Sequence, residues 1–441
     1  MKKTKFIIPL IVLSLLFSCK TETTKVTDAL SEKFYMPAEW EPHDAVWLGW
    51  ESDSTYGFYP VVTKIITTLT PQVTVKMAFN SDSLMQTAKD YLKRHSIDTT
   101  NMEFHTIPGD RYWIRDHGAA FLVNDKGDLG VADFGWNHYG YPVFLKEKYK
   151  GNKDSISKYL NRRTAAINRT GKVDSLMANI EGAKILKTDV ITEGGNIEVN
   201  GKGTLIVCES AMKHRNPNLT KDYMESELKR VLGVSKVIWI KQGLADDPNG
   251  FYRRITGNYV GGGVQHSDEF VRFSNANTLL LAWVDEKEKD LNPINKLNYE
   301  SLTESYNILK NATDQDGKPF TIIKVPLPDL ITKSITATKA YSNEFSYDIP
   351  ADRFYQSEAP AVGDILLRVP ASSYLNYLVT NGLVLVSTYI SEGTSKEKED
   401  RVKAIFETQF PDRKIVFINA MPQNWDGGGI HCSTQQQPSK K

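Results

Sequence analysis

The sequence has 441 residues, of which 40% are hydrophobic and 24% are charged, so it holds enough apolar material for a large core and does not have the composition of a disordered chain. Its 54 basic and 53 acidic residues give a net charge of +1. This balance provides no global field for nucleic acid or an anionic membrane surface, so neither is expected to bind the folded protein.

Residues 1–19 have the pattern of a bacterial export signal, in which lysines precede a short apolar run. The run is too short to span a membrane and ends in Leu-Phe-Ser-Cys19, which resembles a lipoprotein processing site. We therefore predict a lipid on Cys19, with an ordinary cleaved signal as the alternative. Residues 20–33 are polar and predict a tether, so a single folded domain is expected over 34–441, anchored to a membrane in the periplasm or at the cell surface.

Five short apolar runs predict buried strands, at residues 46–50, 119–123, 204–208, 278–284 and 383–389. Each is followed by a helix-like stretch and a further apolar run, most clearly at 221–232 before 236–240 and at 396–410 before 414–418. The pattern predicts one strand–helix–strand module repeated five times around a centre, with a generic α/β domain as the alternative. Segments 141–156 and 330–364 show little periodicity and predict surface insertions.

Two motifs in the first half of the chain place carboxylates near strands. Trp113-Ile-Arg-Asp116 mixes aromatic and charged residues before an apolar run, so Asp116 could hold a planar cation covered by an aromatic face; a structural Arg115–Asp116 ion pair is the alternative. Glu193-Gly-Gly-Asn196 places a carboxylate before two glycines, which suits either a binding loop or an exposed β-turn.

Two later motifs carry groups that can react. On a strand, His266 and Asp268 would point to the same face and could share a pocket, unless they form a solvated edge pair. In Gly427-Gly-Gly-Ile-His-Cys432 the glycines allow close backbone approach, and Cys432 could be exposed with backbone N–H groups favouring its thiolate; an incidental thiol in a terminal turn is the alternative. Cys208 is the only other cysteine outside the signal, so neither a disulfide framework nor a zinc site is predicted.

Together the motifs supply a nucleophile, a base and two or three carboxylates. This is the inventory needed to hydrolyse a guanidinium group: carboxylates fix the cation, the thiolate attacks its carbon, and the imidazole moves protons. No metal or cofactor is expected to take part.

The order of these motifs resembles that of the agmatine deiminases and Porphyromonas-type peptidylarginine deiminases, a family that modifies guanidino groups. Residues 36–43, 216–220, 410–413 and 435–438 add to the match, which covers nearly the whole chain after Phe34. The resemblance implies the pentein fold, an α/β architecture in which ββαβ-type modules form a five-bladed pseudo-symmetric propeller.

The resemblance also implies the roles of individual residues. Cys432 would be the nucleophile, His266 the general acid and base, and Asp116 and Asp268 the ligands of the guanidinium. Substrate-binding roles fall on Glu193, Trp113, Asn196, Gly428 and Gly429. The reaction would pass through a covalent thiouronium intermediate, release ammonia and leave a ureido group.

Three functions follow as candidates. The favoured one converts agmatine to N-carbamoylputrescine, a step of polyamine metabolism. The second converts peptidyl-arginine to peptidyl-citrulline, which the predicted export favours. The third is a catalytically silent binding module at the cell surface. The stretch 138–180 is basic, with Arg162, Arg163 and Arg169, which could grip a substrate carboxylate or simply be solvated.

Overall fold

The structure, a computed structural model, describes residues 33–51, 57–339 and 347–440, so the predicted signal, its Cys19 and all but the last residue of the tether lie outside the described residues. The strands within these ranges are β1 His43–Trp50, β2 Thr74–Phe79, β3 Met102–Thr106, β4 Ala120–Val123, β5 Leu129–Gly135, β6 Lys184–Ile191, β7 Glu198–Val199, β8 Thr204–Cys208, β9 Lys236–Ile240, β10 Phe251–Thr256, β11 Tyr259–Gly263, β12 Val271–Asn275, β13 Thr278–Trp283, β14 Thr321–Pro326, β15 Lys333–Thr338, β16 Ile349–Pro350, β17 Ile365–Val369, β18 Leu378–Thr380, β19 Leu383–Ser387, β20 Lys414–Ile418 and β21 Thr434–Pro438.

The α-helices of the described ranges are α1 Tyr59–Leu69, α2 Asp82–Arg94, α3 Ile114–His117, α4 Tyr141–Lys148, α5 Lys153–Thr170, α6 Val173–Glu181, α7 Glu209–Arg215, α8 Lys221–Leu232, α9 Pro293–Asn311, α10 Lys396–Gln409 and α11 Met421–Trp425. None of these helices is both long enough and apolar enough to cross a membrane.

Five sheets share one plan, in which an antiparallel pair is extended by a parallel strand reached through a helix. They are β4-β5-β6, β7-β8-β9, β12-β13-β14, β18-β19-β20 and β21-β1-β2-β3. The predicted fivefold repetition of one module is therefore confirmed. In the sheet β4-β5-β6 the predicted strand 119–123 corresponds to the outer strand β4 and not to the central strand. The central strand β5 was not predicted, because Gly130 and Asp133 interrupt its apolar pattern.

Helix α8 shows how local sequence sets these modules. Thr220 caps its first turn by accepting a hydrogen bond from the Tyr223 backbone N–H, and Gly233 ends it with a left-handed φ of 65°. Leu228 and neighbouring apolar side chains pack into the core. Tyr223 of the same helix is exposed, and its hydroxyl donates to Asp189.

A sixth sheet, β10-β11-β17-β15-β16, lies outside the repeated plan. It takes β15 and β16 from segment 330–364, which the sequence predicted to be a surface insertion with little periodicity. Its strands are short and only partly buried, so their alternation is weak in the sequence. Segment 141–156 likewise contains α4, whose Phe144 packs against Tyr355 at a centroid distance of 5.1 Å.

The inner part of the domain holds a network of paired charges around Glu39, a residue of the 36–43 motif. Arg115 donates to one Glu39 oxygen at 3.2 Å and Arg272 donates to the other. Arg272 Nε also donates to Glu198 at 2.7 Å, and His431 Nε2 lies 2.8 Å from Glu39. Burial opposes ionisation of Glu39, but these cationic partners outweigh it and hold its pKa well below the usual value. Mutual pairing makes the burial of these charges tolerable.

Candidate active site

A cavity of about 220 Å³ opens among loops that belong to several modules. Asp116 reaches it from α3, Val264 follows β11, and Cys432 precedes β21. Its walls are largely aromatic, formed by Trp113, Trp136, Tyr139, Phe251 and Tyr252. A concave, mostly apolar pocket with a few charged groups is the usual form of a small-molecule site.

The Cys432 thiol lies at the base of this cavity, with 4% of the residue's surface exposed. Its Sγ is 3.6 Å from Asp268 Oδ2. Burial, followed by the negative charges of Asp268, Glu269 and Asp116, holds the pKa of this thiol well above its usual value. The thiol is therefore protonated until a cation enters the site.

This arrangement differs from the expectation of an exposed, activated cysteine. A backbone N–H of Gly429 does lower the pKa of Cys432, as the glycine-rich motif suggested. Burial and the carboxylates around the sulfur outweigh that single dipole. The sequence could not reveal them, because they come from segments far away in the chain.

The His266 imidazole is buried between two carboxylates. Its Nε2 lies 3.2 Å from Glu193 Oε2, and its Nδ1 lies 3.5 Å from Asp116 Oδ1. Burial disfavours the imidazolium, but the carboxylates, Asp116 first among them, outweigh it and raise the pKa of His266 to about 9. The ring is therefore cationic at neutral pH and can donate a proton from Nδ1.

Glu193 supports this imidazole rather than facing the cavity. Arg215 Nε donates to Glu193 Oε1 at 2.9 Å, so both carboxylate oxygens have protein partners. Burial would raise its pKa, but Arg215, followed by His266, lowers the pKa of Glu193 to about 2. It stays anionic and fixes the orientation of His266.

Asp116 and Asp268 each keep one buried oxygen, Oδ1, without a hydrogen-bond partner among the described residues. Their second oxygens are occupied: Tyr139 Oη donates to Asp116 Oδ2 at 2.8 Å, and His431 Nδ1 lies 2.7 Å from Asp268 Oδ2. An unpaired buried acceptor costs about 1–3 kcal/mol. Two such acceptors next to a thiol favour a ligand that is cationic and carries several N–H donors.

Gly195 lets these groups converge. A Cβ at this position would stand 2.5 Å from His266 Nδ1, 3.0 Å from Asp268 Oδ2 and 3.2 Å from Asp116 Oδ1. Only the absence of a side chain allows the imidazole and both carboxylates to approach the same point. The second glycine of the Glu193-Gly-Gly-Asn196 motif is thus required by packing at the site.

His266 and Asp268 are brought together by a route other than the predicted strand. His266 is extended, but Ser267–Glu269 forms a single 3₁₀ turn after β11. Asp268 Oδ2 then faces Cys432 while His266 is aimed at Asp116. The residues share the site because of this turn, not because of the two-residue period of a strand.

The other predicted site residues divide into two groups. Trp113 and Gly428 line the cavity, and Gly428 passes so close to Trp113 that a Cβ would lie 2.8 Å from its ring. Gly429 packs against Asn376, one layer away from the lining. Asn196 lies outside the cavity lining: its side chain accepts from the Cys208 N–H at 2.8 Å and holds β8 in place.

Several residues that complete the site were missed. Asn376 donates to Cys432 Sγ at 3.0 Å and to Glu269 Oε1 at 2.8 Å. Tyr139 holds Asp116, as described above, and His431 holds Asp268. His431 directly precedes Cys432, so the sequence could have indicated that it belongs to the site. Asn376 lies in a stretch without any motif, so no such indication existed for it.

One cluster of side chains in the site has ligand atoms that could hold a metal ion. Asp268, Glu269 and Cys432 bring potential ligand atoms within 4.8 Å of one another, the only such group of three or more found among the described residues. Burial, followed by Asp268, raises the pKa of Glu269 well above its usual value. The pKa shift of Glu269 opposes a second negative charge in this cluster, and of its three residues only Cys432 lines the cavity.

Comparison with known proteins places this geometry in context. A sequence model of the Porphyromonas-type peptidyl-arginine deiminases matches residues 35–438. The chain is 27% identical to the agmatine deiminase of Ectopseudomonas mendocina over 430 residues, which are 95% of this chain and 99% of that protein. It is 28% identical to the agmatine deiminase of Pseudomonas putida over 416 residues, covering 93% and 96%. The solved agmatine deiminase of Enterococcus faecalis superposes with a TM-score of 0.69 at 24% identity, covering 93% of this chain and 97% of that one.

Proposed function

We propose a function from one premise: the chain belongs to the Porphyromonas-type peptidyl-arginine deiminase family. The protein is an amidine hydrolase that converts agmatine to N-carbamoylputrescine and ammonia. The observation that carries the proposal is the pair of buried carboxylate oxygens on Asp116 and Asp268 that accept no hydrogen bond from a described residue, beside the Cys432 thiol. The relatives named as agmatine deiminases support agmatine as the substrate.

Binding of the guanidinium has two effects in this mechanism. Its N–H groups satisfy the free oxygens of Asp116 and Asp268, which fixes its plane over the thiol. Its positive charge also neutralises the carboxylates that hold the pKa of Cys432 high. Substrate binding thus creates the nucleophile, because the thiol becomes acidic only when the cation is present.

The first chemical step forms a bond from Cys432 Sγ to the guanidinium carbon. The thiol proton passes to Asp268, whose Oδ2 is 3.6 Å from the sulfur. The resulting tetrahedral carbon then loses one amino group, which takes the Nδ1 proton of cationic His266 and departs as ammonia. A positively charged thiouronium remains attached to the sulfur.

The second step restores the enzyme. His266 is now neutral and accepts a proton from a water molecule, whose oxygen attacks the thiouronium carbon. The carbon–sulfur bond breaks as the added hydroxyl passes its proton to Cys432 Sγ, so the carbon becomes a ureido carbonyl and the thiol is restored. The proton still held by Asp268 leaves with ammonia as ammonium, so the balance is agmatine and water to N-carbamoylputrescine and ammonium.

The test is ammonia release by the purified protein with agmatine, free arginine, and peptides bearing arginine internally or at the C-terminus. We expect turnover of agmatine and none by Cys432→Ala. Turnover of peptides alone would replace agmatine with peptidyl-arginine as the substrate. No reaction with any guanidine would refute the enzyme and leave a binding module.

We also propose that the mature protein is a lipoprotein anchored through Cys19. The support is the sequence of residues 1–19, since these lie outside the described residues. Mass spectrometry of the N-terminal peptide from membranes should find the lipid on Cys19. A Cys19→Ala protein should be found free of the membrane, and equal membrane retention of both proteins would refute the anchor.

A further inference from the structure

One carboxylate of the cavity takes no part in the proposed chemistry. Asp426 lines the cavity at the start of the glycine-rich motif, where its side chain is open to the cavity. The residue is exposed at the cavity, yet the groups around its carboxyl exclude enough solvent that burial raises the pKa of Asp426 to about 6, against the opposing effect of Arg368. At neutral pH it therefore presents a negative charge to whatever fills the cavity.

The two arginines of the lining are already engaged. Arg111 pairs with Glu51 at 3.3 Å. Arg368 donates to the Tyr347 carbonyl at 3.1 Å, to the Tyr252 hydroxyl at 3.4 Å and to the carbonyl of the residue before Asp426. Within residues 33–51, 57–339 and 347–440, no cationic nitrogen lies within 4.0 Å of the Asp426 carboxylate. Asp426 thus forms no salt bridge with a described residue, although the charge of Arg368 acts on it from a greater distance.

The chain between Asp426 and the thiol is short. A Cβ on Gly428 would stand 3.2 Å from Cys432 Cβ, and Asp426 lies only two residues before it. Two residues span at most about 7 Å, which is close to the length of a four-carbon chain between two nitrogens. The Trp113 ring contacts Gly428 and also lies close enough to Asp426 to lower the pKa of its carboxyl, so an aromatic surface runs along this path.

We propose that Asp426 binds the distal ammonium of the substrate and selects guanidines that carry a second positive charge. The inference rests on the proposed deiminase function and names the part of the substrate that the thiol does not touch. An α-carboxylate at that end, as in free arginine, would meet Asp426 as a like charge. The methylene chain of a diamine-like substrate would lie along Trp113 and the other aromatic walls.

The experiment compares agmatine with N-butylguanidine, which has the same chain without the amine. Wild-type protein should favour agmatine by roughly 10-fold or more in kcat/KM. In Asp426→Asn, which removes the charge but keeps the size of the side chain, KM for agmatine should rise roughly 10-fold while the constants for N-butylguanidine stay unchanged. Asp125→Asn, in the exposed turn between β4 and β5, is the matched control and should alter neither substrate.

The outcomes separate the two hypotheses. Failure of wild-type protein to act on either guanidine refutes the deiminase function itself. Equal wild-type rates on both, or an equal loss on both in Asp426→Asn, refutes the role of Asp426 while leaving the deiminase intact. The comparison of agmatine with N-butylguanidine in wild-type protein tests the selectivity even if the Asp426→Asn variant does not fold.

Discussion

Replacing Asn376 should lower the reactivity of the Cys432 thiol without weakening substrate binding. Its Nδ2 donates to Cys432 Sγ at 3.0 Å, a bond that is strongest when the sulfur carries a negative charge. Hydrogen bonds to charged groups contribute about 1.5–3 kcal/mol, so Asn376→Ala should lower kcat roughly 10- to 150-fold. KM for agmatine should change little, because Asn376 is absent from the cavity lining.

A second variant separates electrostatics from scaffolding. Asn376 Oδ1 also accepts from the His431 N–H at 2.9 Å and so holds the turn that carries Cys432. Asn376→Asp keeps this acceptor but places a carboxylate beside the sulfur, so it should raise the thiol pKa further and lose more activity than alanine does. Asn381→Ala is the control, since Asn381 likewise bonds backbone groups, at 2.8 and 3.0 Å, but those of His43.

The assays are ammonia release and the rate of iodoacetamide alkylation as a function of pH, each with thermal melting as a check on folding. We expect the alkylation profile of both Asn376 variants to move to higher pH, and that of Asn381→Ala to match wild type. If folded Asn376→Asp protein had the same kcat and the same alkylation profile as the wild type, the view that the Asn376 amide stabilises the thiolate would be refuted.

Four further predictions test the site and its support. Cys432→Ser should abolish turnover yet still bind agmatine in calorimetry; loss of binding would contradict the assignment of binding to the carboxylates. The kcat/KM for agmatine should rise through a pH of about 6, as Asp116 and Asp426 ionise, and fall through about 9, as His266 loses its proton; a flat profile would contradict these assignments. Tyr139→Phe removes a hydrogen-bond donor to Asp116, so the pKa of Asp116 and the acidic limb of the pH profile should move upward. An acidic limb at the wild-type pH would exclude the role of Tyr139 in holding Asp116 ionised. Glu39→Gln leaves buried cations unpaired and should lower the free energy of unfolding by about 3–5 kcal/mol in urea titrations, whereas wild-type stability would show that Glu39 is dispensable.

The sequence predicted most reliably what depends on local pattern. Strong periodicity located α8, β8, β9 and β20 at the bounds the structure has, because these elements bury one face against a core. The sheet of β15 to β17 escaped prediction since its strands are short and half exposed. Apolar content alone carries little signal when a strand is stabilised by its neighbours in the sheet.

The candidate site was predictable only where reactive residues stand in motifs. Cys432 and Asp116 could be identified from their neighbours in the sequence, and the structure brings both to one cavity. Asn376 could not, because its relation to the sulfur exists only across 56 residues of chain. Asn196 was assigned to the substrate from its motif, whereas the structure uses its amide to hold the backbone of Cys208.

The pairing of β21 with β1 has a consequence for biosynthesis. Strand β21, which closes the first sheet against β1, follows the other described strands in the sequence, and Cys432 stands two residues before it. Synthesis from the N-terminus makes the strands of the other five sheets before β21, so these strands can pair before Cys432 has a fixed place in the site. Removal of β21 would open the first sheet and free the thiol from the site in one event.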